Sequence, residues 1–156
     1  MKYVSMKIYK IANNKYFYHG SFDDNLYGIW TNGLQPSTNP HWSRELGETS
    51  VGKVFFCSTP EETETYTSLI KDYNYDATDF PEVFIFRVAA LNLPDIAKPS
   101  ENIDEFYVER AVDPKYIEIF WGNEWKNLLN LSENMVRDIS QGSLRENSIE
   151  FLDEEN

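Results

Sequence analysis

One cysteine, Cys57, stands in 156 residues. That excludes an internal disulfide and any zinc site built from several thiolates. Basic residues are few as well: 14 Lys and Arg against 26 Asp and Glu leave a net charge of −12. A broad nucleic-acid surface needs clustered cations to displace phosphate counterions, so that class is disfavoured, as is attraction to an anionic membrane. No apolar run approaches the roughly 20 residues of a membrane span. Lys2 and Lys7 near the N-terminus are followed by no apolar stretch, so a secretory signal is not expected and a cytoplasmic protein is the default. No metal centre is expected.

What is abundant is aromatic. Phe, Tyr and Trp make up 15% of the chain and gather in strand-like runs. A chain of this length is most simply a single domain with a real core; residues 1–130 read as that domain, and 131–156 as a C-terminal helix and acidic tail. Lys7–Ile11 alternates like a strand fragment, and Lys15–Gly20 is a second strand ending on glycine. Asp23 or Asp24 caps a short helix bearing Leu26, Ile29 and Trp30, and Asn32-Gly33 stops it. Residues 36–52 hold no period and read as a long loop. Val54–Cys57 is a compact strand. Ser58-Thr59-Pro60-Glu61-Glu62 then has the hydroxyl, proline and acids of a helix start. Val83–Val88 is the strongest strand, residues 91–103 connect, and Glu105–Val108 and Tyr116–Trp121 are further strands. Ser132 caps a last helix through Ile139. Strands with short helices interleaved make the class mixed α+β.

Three segments carry candidate chemistry. Tyr18-His19-Gly20-Ser21 ends a strand with an imidazole beside a residue that lets a ligand approach the backbone. Gly52-Lys53-Val54-Phe55-Phe56-Cys57-Ser58 leads into a helix on which Thr63 and Tyr66, three apart, share a face. Asp104-Glu105-Phe106-Tyr107-Val108 opens a buried strand with a carboxylate, which is costly unless a cleft or a partner solvates it. Each segment also has a bland reading: a histidine beside a turn glycine, a packing tyrosine, a solvent-facing glutamate. Cys57 reads as a small buried residue rather than a nucleophile.

In this order and spacing, the three segments resemble the NAD cleft of ADP-ribosyltransferases, in the diphtheria-toxin-like and poly(ADP-ribose) polymerase branch with its His-Tyr-Glu signature. Phe55 stands where the middle tyrosine is usual. The resemblance covers roughly residues 16–120 and implies two packed, mostly antiparallel sheets with a nicotinamide cleft between them. It implies NAD as substrate, with His19, Gly20 and Ser21 holding it, Phe55, Thr63 and Tyr66 lining the nicotinamide pocket, and Glu105 as catalytic carboxylate beside His19. In the 36–52 loop, Arg44 would meet the pyrophosphate as a forked donor, and His41 or Trp42 would flank adenine; the plain alternative is a surface loop. Ile103, two before Glu105, is unlike the Arg-directed branch with its second Glu or Gln. The expected activity is mono-ADP-ribosyl transfer to an unidentified protein or nucleotide acceptor, or NAD hydrolysis. The alternative is a non-catalytic module on the same fold whose acidic surface meets a basic protein partner.

Overall fold

The structure, a computed structural model, describes residues 15–38, 51–74, 81–100 and 104–144. The strand fragment expected at Lys7–Ile11, the loop residues His41, Trp42 and Arg44, and the acidic tail lie outside these. The class is α+β. Seven strands are described: β1 (Tyr16–Phe22), β2 (Val54–Cys57), β3 (Val83–Ala89), β4 (Lys98–Pro99), β5 (Glu105–Val108), β6 (Ile117–Trp121) and β7 (Glu124–Asn127). Three helices accompany them: α1 (Leu26–Asn32), α2 (Pro60–Asn74) and α3 (Glu133–Ser140).

The strands form one hydrogen-bonded antiparallel sheet in the order β4-β5-β2-β1-β3-β6-β7. The expectation is two packed, mostly antiparallel sheets; the antiparallel pairing is present, but the described strands join in one continuous sheet, and the reason lies at the centre. β1 pairs with β3 along its whole length, Tyr16↔Ala89 to Phe22↔Val83, and β2 pairs with β5 along its whole length. Between β1 and β2 the registered pairing is the single rung Tyr18↔Cys57. One rung makes the sheet continuous, yet leaves a seam where two halves meet.

Strand alternation decides what each face does. Phe17, Phe56, Phe86, Phe106, Val88 and Ile119 project to one face and are fully buried, with Phe17 meeting Phe106 edge-on at 5.6 Å. Leu26 and Ile29 of α1, with Val136 and Ile139 of α3, complete that core. The start of the expected C-terminal segment is therefore part of this core. Ser140 Oγ accepts from the Tyr27 N–H at 2.7 Å and donates to the Asp23 carbonyl at 3.0 Å, tying α3 to the beginning of α1. Trp30 Nε1 donates to the Leu131 carbonyl.

Helix starts follow their sequence signals. Thr59 Oγ1 accepts from the Glu62 N–H, and Ser132 Oγ accepts from the Met135 N–H, so both hydroxyls satisfy donors that a first helical turn leaves unpaired. Asp23, in contrast, does not cap α1 with its side chain: it sits buried in a 3-10 turn, Asp23–Asn25, that precedes the helix. Gly33 ends α1 with a φ of +79°, where a side chain would also strike the Val112 carbonyl. The seventh strand was not expected. Gly122 and Asn123, both at positive φ, make the two-residue turn that folds β7 back onto β6.

Candidate functional site

The second face of the sheet is covered at the seam by α2. Antiparallel register sets one row of side chains across that face: Glu105 opposite Cys57, Cys57 opposite Tyr18, Tyr18 opposite Arg87, Arg87 opposite Glu118. Above the middle of the row, α2 brings Thr63, Tyr66, Thr67 and Ile70, at helical spacing, onto Gly20. The result is a cleft of about 80 Å³ bounded by strands on its floor and α2 on its wall, in which His19, Gly20, Phe55, Thr63, Tyr66 and Glu105 all take part. Six of the candidate residues from three distant segments thus meet in one place.

Gly20 is small for a reason visible in the packing. A Cβ there would collide with the Thr67 hydroxyl and press on the Thr63 methyl at 3.2 Å. The missing side chain lets α2 lie close against β1.

His19 projects from the opposite side of β1 and fills the seam just past the last shared rung. Its Nδ1 lies 2.7 Å from the Phe55 carbonyl oxygen. A carbonyl only accepts, so the ring donates through Nδ1, and a neutral imidazole then carries its lone pair on Nε2. The ring rests edge-on against Phe56 at 5.9 Å. Phe55 itself is half-buried and turns toward Tyr107 at 6.1 Å; it brings an apolar ring to the cleft and no hydroxyl. The ammonium of Lys53 lies over the Tyr107 ring at 4.4 Å.

Thr63 is buried; its hydroxyl donates to the Thr59 carbonyl at 2.9 Å, and its oxygen also lies within hydrogen-bonding reach of the Cys57 thiol. Tyr66 keeps its proton more tightly than an ordinary phenol: burial raises its pKa first, then Cys57 once it ionises, and then the carboxylates of Glu105, Asp104 and Glu62. The same surroundings push the Cys57 thiol up to about 12, mainly through burial, while a hydrogen bond with Thr63 pulls the other way. The thiol is therefore protonated and inert at neutral pH.

Glu105 is 8% exposed, and its Oε1 accepts a hydrogen bond from Ser100 Oγ at 2.8 Å. Asp104, at φ +64°, makes the turn into β5 that sends this carboxylate onto the α2 face.

Ser21 stands apart. It is two residues from His19, hence on the face opposite Gly20, where it accepts from Asn25 Nδ2 at 3.0 Å. There it lines a second hollow of about 290 Å³ with Asn25, Asn32, Gln35 and the His19 ring. His19 borders both spaces, so the two adjoin through the seam. Sequence reasoning missed Thr67, although it lies one turn beyond Thr63. It also missed Ser100, whose link to Glu105 has no local signature.

Among the described residues no group of three or more His, Cys, Asp or Glu is arranged to hold a metal ion, and no helix is long and apolar enough to cross a membrane. No protein-family model matches this chain, and no curated protein matches it.

Proposed function

We propose that the chain binds NAD across the seam and transfers its ADP-ribose to a nucleophile, a protein or nucleotide group or water. The observation that carries this reading is the convergence of His19, Gly20, Phe55, Thr63, Tyr66 and Glu105 on one cleft. Nicotinamide enters between the sheet and α2. Its cationic ring lies against the Tyr66 phenol, a contact of about 1 kcal/mol or more when water is excluded. The Thr63 oxygen accepts from the carboxamide. His19 Nε2 accepts from a ribose hydroxyl, and the adenosine end extends into the hollow beside Ser21 and Asn25.

The bond between the nicotinamide nitrogen and ribose C1′ breaks with its electron pair going to nitrogen, so a cation leaves as a neutral base. The positive charge passes to C1′ and the ring oxygen, where the Glu105 carboxylate stabilises it. The acceptor then forms its bond to C1′ and loses its proton to Glu105 or solvent. No general acid is required because the leaving group is already neutral.

A non-catalytic module on the same fold, meeting a basic partner through its acidic surface, is the second reading. Phe55 favours it, since its ring supplies no hydroxyl to the cleft and packs toward Tyr107. Incubation with NAD, reading released nicotinamide by chromatography together with the melting temperature, separates the two. The transferase reading expects nicotinamide, with release reduced about 100-fold or more in Glu105→Gln. Stabilisation by NAD without any nicotinamide, or equal release from the variant, sinks the catalytic assignment.

A further inference from the structure

We infer that Ser100 is a positioning residue that fixes the Glu105 carboxylate in the cleft; this rests on the ADP-ribosyl-transfer reading. Two bonds bind the residues to each other. The Ser100 N–H donates to the Glu105 carbonyl at 3.0 Å, and the Ser100 hydroxyl donates to Glu105 Oε1 at 2.8 Å. Both residues are nearly closed off from water, Ser100 at 7% exposure and Glu105 at 8%.

The setting explains why a two-residue edge strand is there at all. β4 pairs Lys98↔Tyr107 and Pro99↔Phe106, and Ser100 follows one step later, opposite Glu105. Pro99 has a fixed φ and no N–H to give, so it is tolerated on an edge. Lys98 adds an exposed ion pair with Glu109 at 3.4 Å. β4 thus acts as a short clip that delivers one hydroxyl to one carboxylate.

Glutamate has three side-chain torsions, and a carboxylate that must face a developing cation gains from losing that freedom before the reaction. Displacement of a reacting group by an ångström costs on the order of 100-fold in rate. A hydroxyl donor also leaves the carboxylate charged, whereas a cationic donor would neutralise the charge that the reaction uses. Serine therefore suits this position better than lysine or arginine.

The test is NAD turnover by the full chain with Ser100→Ala and Ser100→Thr, with melting temperature measured alongside. Ser100→Ala is expected to lower kcat for nicotinamide release roughly ten- to 100-fold with KM for NAD nearly unchanged. Ser100→Thr, which keeps the hydroxyl, is expected to recover most of that loss. A wild-type kcat in Ser100→Ala, or a Ser100→Thr variant as impaired as Ser100→Ala, overturns the inference while leaving the transfer reading intact. If Ser100→Ala melts below the assay temperature, Ser100→Cys takes its place, and a kcat equal to wild type overturns the inference in the same way. Absence of nicotinamide release from the unmodified chain overturns the transfer reading and the role of Ser100 with it.

Discussion

Replacing Gly20 by alanine adds one methyl group to the chain, and its effect can be worked out from the contacts of α2. The new Cβ would overlap the Thr67 hydroxyl, lie 3.0 Å from the Thr67 Cβ and 3.2 Å from the Thr63 methyl. Thr67 cannot swing aside freely, because it is buried and its hydroxyl donates to the Thr63 carbonyl at 2.7 Å. Relief must come from α2 backing away from β1. Overpacking of this kind costs about 1–3 kcal/mol. Alanine for glycine in an extended strand returns about 0.4–1 kcal/mol through the unfolded chain. The balance is a loss of about 1–2 kcal/mol, or a melting temperature lowered by about 2–8 °C for a chain of this size. Urea unfolding followed by tryptophan fluorescence measures it, with an unchanged m-value as the check on two-state behaviour. Thr67→Ala removes the overlapping oxygen, so the double variant should be more stable than the sum of the single losses by about 1 kcal/mol. A Gly20→Ala protein within about 0.5 kcal/mol of wild type, or strictly additive losses, would refute the close packing of α2 on β1.

Three more outcomes follow from the same face of the sheet. The Cys57 thiol should react with Ellman's reagent at pH 8 only as fast as the chain opens. Because its native pKa is raised to about 12 from 9.0, its contribution to stability is whole below pH 9. It is then lost as pH rises toward 12, by at most about 1.4 kcal/mol per pH unit, a slope that Cys57→Ala should lack. Arg87 is held by Glu118 through two donors, at 3.3 and 3.1 Å, and is sandwiched between Tyr16 at 4.0 Å and Trp125 at 4.4 Å. Arg87→Lys keeps the charge but loses the flat fork that fits both rings and carboxylate, so it should cost about 1–2 kcal/mol in urea unfolding; a neutral result would assign the stack no energetic role.

Local chemistry made several elements readable. Val54–Cys57 and Glu105–Val108 are short apolar runs bounded by turn residues, and Thr59-Pro60 announces α2 within a residue. Ser132 announces α3 in the same way. What local chemistry could not supply was pairing across distance. The rung Tyr18↔Cys57 joins strands far apart in the chain, so a single sheet rather than two was not legible. Gly122-Asn123 is a hairpin signal, but Trp125 and Lys126 among polar neighbours make β7 a weak strand by composition. Strand alternation turns residue 21 away from residue 20, and Asn25 holds Ser21 there, outside the Glu105 cleft. The Ser100–Glu105 bond depends on a hairpin whose partners only the folded backbone brings into register.

The lone rung between β1 and β2 has a mechanical meaning. The two halves share one registered rung, Tyr18↔Cys57, with the bond from His19 to the Phe55 carbonyl beside it, while Phe17 against Phe56 and Phe106, and α2 against Gly20, join them by packing. The cleft beside that tie, at about 80 Å³, is tighter than the roughly 150 Å³ that houses a benzene ring in an enclosed cavity. A pyridine-sized guest would therefore extend through the mouth of the cleft or displace side chains that line it. Widening the cleft there would break one rung and one imidazole bond but would also pull Phe17 from Phe56 and Phe106, so the seam is poor in hydrogen bonds and rich in packing.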